Sequence, residues 1–132
     1  MVWFKKWDID IDDIDVHPKE RPGGGKTKKR FTPRKTASSM LDLKKRYMIF
    51  MAGGKEPIPA GVKIRFSFTY YTKRKWDPKK RIGDIDNLYK TITDAANGML
   101  WRDDNQITAW GPSSVEYQQP YSRLTIIVEV DA

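Results

Sequence analysis

From Gly61 to Tyr70 the chain reads GVKIRFSFTY, and from Val62 onward every second residue is apolar. In an extended chain Val62, Ile64, Phe66, Phe68 and Tyr70 project to one side, and Lys63, Arg65, Ser67 and Thr69 to the other. A strand with one apolar face needs a second layer over that face, so the chain must build a sheet covered on one side. The pattern recurs at 123–130, where Leu124, Ile126, Val128 and Val130 alternate with Thr125, Ile127 and Glu129. Residues 8–16, DIDIDDIDV, alternate Asp with Ile, and the doubled Asp12-Asp13 predicts a bulge or the strand's end. A further strand is predicted near 106–117, interrupted at Gly111-Pro112 and joined to the last by a hairpin through Pro120-Tyr121-Ser122.

Two segments have helical spacing instead. Met40, Leu43, Tyr47, Phe50 and Met51 stripe a helix that starts near Thr36–Ser39, with Ser39 and Asp42 as a capping box and Gly53-Gly54 as the stop. Leu88, Ile92, Ala95, Ala96 and Met99 stripe a second over 87–97, closed by Asn97-Gly98. The expected fold is α+β, in the order β-α-β-α-β-β, with two helices on one face of a small mixed sheet. At 132 residues it fits one domain, 1–132. Residues 18–35, PKERPGGGKTKKRFTPRK, form a basic loop expected to be flexible.

Composition removes several chemistries. With no Cys and a single His17, disulfides, thiolate catalysis, zinc knuckles and Ser-His-Asp or multi-His sites are excluded within one chain. Carboxylates, Lys and an oxygen-loving metal are left. The five Asp of 8–16 do not make a calcium loop. Aligned from Asp8, the turn-glycine position holds Asp13 and the bidentate-Glu position holds Lys19. No run approaches a membrane span, and MVWFKKWDID lacks the apolar core of a secretory signal, so a cytoplasmic location is expected.

The net charge of +8 and the pI near 9.7 point to a polyanionic partner. The basic residues cluster in two segments: Lys26, Lys28, Lys29, Arg30, Arg34 and Lys35 in the first, then Lys73, Arg74, Lys75, Lys79, Lys80 and Arg81 around Trp76. Both read as tracks for DNA phosphates, and Trp76 and Phe31 as rings that can either stack on opened bases or simply pack. Against this background the acidic run GDIDNLYK, and WRDDNQ after it, stand out. Asp84 and Asp86, two apart in extended chain, would project together just before the second helix, with Asp86 as its N-cap and Lys90 one turn on. Such carboxylates suit Mg²⁺, which takes one or two of them plus phosphate oxygens, and Asp103 or Asp104 would complete the set. The same residues also fit structural duties: a cap, an ion pair with Lys80 or Arg81, a turn. Asp94, four residues past Lys90, either orients that lysine or makes a surface pair.

The run DIDNLYKTITDAANGMLWRDDNQI resembles the core signature of the RusA-type Holliday-junction resolvases. The signature has an Asp-x-Asp-Asn-Leu-x-Lys block, then Asp-Ala, then an aromatic followed by Asp-Asp-x-Gln. KIRFSF before it and RLTIIVEV after it keep the same order. The likeness spans about 61–130 and is weak over 1–60. Gly83 stands where a basic residue often precedes the first Asp, and the acidic amino-terminal strand and Gly triplet also depart from the pattern.

The resemblance implies a homodimer with one acidic, magnesium-binding site per protomer, nicking four-way DNA junctions in recombination and repair. It carries catalytic roles to Asp84, Asp86, Asp104 and Lys90, and a metal-binding role to Asp84, Asp86 and Asp104, with Asp103 next. Mn²⁺ is expected to substitute for Mg²⁺. Two other readings remain at this point: a broader flap or D-loop nuclease, and a branched-DNA-binding protein with no catalysis.

Overall fold

The computed structural model describes residues 2–17, 34–78 and 84–131. Its elements are β1 (Trp3–Asp12), α1 (Arg34–Met51), β2 (Ile64–Tyr71), α2 (Asp84–Ala96), a single 3-10 turn (Asp104–Gln106), β3 (Ile107–Trp110), β4 (Ser114–Glu116) and β5 (Arg123–Asp131). The five strands form one mixed sheet in the order β1-β5-β2-β3, with β4 pairing β2 beyond β3. β5 lies antiparallel to both β1 and β2, while β3 and β4 run parallel to β2.

The alternation expected of β2 is realised: Ile64, Phe66, Phe68 and Tyr70 are all buried. They face Val130, Val128, Ile126 and Leu124 across the β5 ladder, and Ile9 and Ile11 of β1 face Ile126 and Leu124 from the other side. This one face is roofed by both helices, through Leu43 and Tyr47 of α1 and Leu88, Ile92, Ala95 and Ala96 of α2, within a single core. The Tyr47 hydroxyl donates to the Ile92 carbonyl at 2.9 Å and ties the helices together. Phe66 lies at the centre, edge-on to Tyr89 and to the fully buried Trp101. Burying a ring of that kind is worth roughly 1.5–3 kcal/mol.

Several local expectations need correction. β1 begins at Trp3 rather than 8, because it pairs with β5 from Trp3↔Asp131 to Asp12↔Arg123, and its register shift falls between Lys5 and Trp7. It ends at Asp12, and Asp13, at φ 52°, turns the chain. α1 begins before Ser39, which is therefore no cap. Ser39 is buried, donates to the Asp15 carbonyl and accepts from the His17 amide. Asp42 pairs with Arg46, whose guanidinium also takes the Asp12 and Asp13 carbonyls.

The 106–117 strand is interrupted at Gly111-Pro112 as expected, and the break is wide enough to leave two separate strands, β3 and β4. Three strands therefore follow α2, rather than two. The hairpin to the last strand does not form: β4 pairs β2, and β5 lies on the other side of β2. Finally, α2 starts at Asp84, so Asp84 and Asp86 are inside its first turn.

Candidate active site

α2 carries the acidic motif. At about 100° per residue, positions 84 and 86 stand roughly 200° apart around the helix axis and do not share a face. The physical reason for the early start is the helix itself, whose free amides and positive end favour carboxylates in the first turn. Asp86 is thus a first-turn residue rather than a cap. Asp86, Lys90 and Asp94 are spaced four apart along one stripe of α2, with Asp86 and Lys90 exposed and Asp94 half-buried. The side chain of Asp84 lies outside the described residues.

The second acidic element is the 3-10 turn. Asp103 caps it, accepting from the Asn105 amide at 3.2 Å, and Gln106 closes a reciprocal box onto the Asp103 backbone. The Gln106 amide then donates to the Pro59 and Val62 carbonyls, at 2.8 and 3.1 Å, and fastens the turn to the approach of β2. Asp103 and Asp104 are hydrogen-bonded to one another. That bond, with the Asn105 amide, holds the Asp103 carboxyl below the usual carboxylate range. The same bond, then burial and the charges of Asp103 and Asp94, pushes Asp104 up.

Asp94 and Asp104 both act on Tyr89, whose hydroxyl is raised first by burial and then by those two charges. The described acidic residues therefore fall into two groups. Asp103, Asp104 and Asp94 share a field, while Asp86 opens α2 about 12 Å of helical rise before Asp94. Among the described residues no three His, Asp or Glu side chains stand close enough together to hold a metal ion. The sequence singled out Asp94 only for its spacing from Lys90. Its approach to Asp104 depends on how the chain returns after α2, which no local pattern encodes.

The basic segments are described in part. Lys26, Lys28, Lys29, Arg30 and Phe31, like Lys79, Lys80, Arg81 and Gly83, lie outside the described residues. Arg34 and Lys35 open α1 with side chains outside that set. Lys73, Arg74, Lys75 and Trp76 are exposed, Trp76 at 59%.

Arg74 differs from its neighbours because it is already engaged. It donates to Asp15 at 2.7 Å and approaches His17 Nδ1 at 3.2 Å, while His17 Nε2 meets the other Asp15 oxygen at 3.1 Å. The Tyr70 hydroxyl also reaches Asp15, and Thr91 of α2 donates to the His17 carbonyl. This cluster holds the chain leading into the first basic segment against the start of the second. The lone histidine is therefore a junction residue between them.

A protein-family model described as Endodeoxyribonuclease RusA matches residues 13–129. The match takes in both helices, β2 to β4 and most of β5, and it begins just after β1. No match to a curated protein was found.

Proposed function

Since the chain belongs to the RusA endodeoxyribonuclease family, we propose that it is a magnesium-dependent endonuclease that resolves four-way DNA junctions by paired nicks, as a homodimer, in recombination and repair in the cytoplasm. The observation that carries the reading is the carboxylate pair Asp103–Asp104 on a braced turn, in the field of Asp94, within a chain of net charge +8. Acidic residues repel the polyanion that the rest of the surface attracts, and a cation bridging carboxylate and phosphate removes the conflict.

Hard carboxylate oxygens are a fitting donor type for Mg²⁺ or Mn²⁺. The family resemblance assigns the ion to Asp84 and Asp86, in the first turn of α2, and to Asp104, with Asp103 beside it on the braced turn. When bound, the ion would polarise the scissile phosphate and make the attacking water more acidic. Lys90, exposed on the Asp86–Asp94 stripe, would stabilise charge developing on the phosphate or position the water. Lys73, Lys75 and the basic residues at 26–35 and 79–81 would follow the phosphates. A junction is close to two-fold symmetric, so a two-fold dimer with one site on each of two strands matches its geometry.

The test is a synthetic four-way junction with purified protein, in Mg²⁺ and in EDTA, beside a flap and a linear duplex. Paired nicks in the junction with Mg²⁺ alone are expected. Asp86→Asn and Lys90→Ala should lose cleavage by a hundredfold or more while junction binding persists. Equal cutting of flap and junction would make this a broader nuclease. Binding without metal-dependent nicking would leave only a DNA-binding role.

A further inference from the structure

Two of the five tryptophans are strongly exposed, Trp76 in the β2–α2 loop and Trp110 at the end of β3. They differ in how firmly they are held. One face of Trp110 lies against Tyr89 of α2, with ring centroids 4.0 Å and planes 36° apart. Tyr89 packs edge-on to Phe66, and Phe66 edge-on to Trp101, so the indole is braced from the centre of the core. The backbone is equally restrained. The Gly111 amide donates to the Phe66 carbonyl at 2.8 Å. The chain there crosses so close over β2 that a Cβ on Gly111 would fall 1.9 Å from Ser67 Oγ. Only glycine permits that crossing without a shift, and it sets the direction in which Trp110 is presented.

Even so, Trp110 remains 48% exposed. A large apolar ring, rigidly mounted and half in water, is an arrangement for contact: the freedom a partner would have to freeze is already gone. Its position indicates the partner. Tyr89, on which the indole rests, precedes Lys90 in α2, and β3 carries Trp110 directly out of the acidic turn Asp104–Gln106. A DNA strand whose phosphate is held at those carboxylates would bring the adjoining base within reach of Trp110.

We propose that Trp110 is a stacking platform for a nucleobase next to the scissile phosphate, one left unpaired or opened at the branch. The proposal rests on the reading that this chain cuts branched DNA. Stacking is available to all four bases, because each has a π-face, so the platform would hold the strand without selecting its sequence. Tyr89 acts behind it as a positioning residue.

The test uses a four-way junction carrying 2-aminopurine at the branch, whose fluorescence falls when the base stacks, with the full-length protein and no divalent ion. Wild type should quench the probe. Trp110→Phe, which keeps an aromatic plane, should retain most of the quenching and affinity. Trp110→Leu should lose the quenching and weaken binding by roughly tenfold or more, with a thermal midpoint near that of wild type to show that it is folded. If wild type binds and cuts the junction but Trp110→Leu matches it in quenching and affinity, the platform is wrong and the proposed function stands. If Trp110→Leu turns a dimer into a monomer in sedimentation and leaves the quenching intact, the indole faces a second copy and the platform is again wrong. If wild type neither binds nor cuts the junction, the functional reading fails and takes the platform with it.

Discussion

Arg65 and Glu129 stand opposite each other on the sheet face that the helices leave open, joined by two hydrogen bonds of 2.8 and 2.7 Å. Trp3 lies over the guanidinium, 5.7 Å from ring centroid to Cζ. The Arg65 hydrogen bond holds the Glu129 carboxyl below the usual carboxylate range. A carboxylate depressed on folding contributes stability that is present above its unfolded pKa, about 4.3 for Glu, and is lost as pH falls through the folded value. Glu129→Gln should therefore lower the urea midpoint at pH 7. The gap from wild type should close as pH drops below about 4. A constant gap across that range would mean the pair contributes through packing rather than charge.

Among the structural elements, the loop after β2 divides its basic residues between two duties. Spacing alone makes Lys73, Arg74 and Lys75 equivalent, yet Asp15 and His17 engage only the middle one. Lys73 and Lys75 are the two proposed to meet phosphates. Each phosphate neutralised on a duplex arm contributes roughly 0.9 to the slope of log affinity against log salt. Replacing both lysines by Ala should flatten that slope by up to about 1.8, with cleavage at saturating protein and Mg²⁺ near normal. Arg74→Ala should act differently, loosening the Asp15–His17 cluster with little change in slope. A full unit of slope lost with Arg74 alone would place it on DNA and overturn the division.

For the molecule as a whole, the proposed homodimer has the broadest consequence, because paired nicks on a symmetric junction call for two sites. Among the described residues β1 is an edge strand, paired on one side only, and Leu41, Met48 and Ile49 of α1 are exposed. Both are features that a second copy could cover. Sedimentation over a range of concentrations should give twice the chain mass of 15.4 kDa at working concentration. A chain that stays monomeric both free and on the junction would rule out concerted nicking by paired sites.

The α+β class, the core residues of β2, β5, α1 and α2, and the acidic motif with Lys90 were all legible in the chain alone. Periods of two and near four record which side of an element is buried, and they need no partner to be read. Long-range pairing leaves no such local record. Nothing near Ser114 states that β4 joins β2 in parallel, so a hairpin was the economical guess. Nothing near Ser39 shows that its hydroxyl bridges residues 15 and 17. Asp84 and Asp86 read as extended chain just before the second helix, and the structure instead places them in the first turn of α2. Asp94 meets the field of Asp104, and Trp110 rests on Tyr89, only because the chain returns past α2 through Trp101 to β3. Those contacts are properties of three dimensions, since a residue's local sequence sets its face but not the neighbour that face will meet.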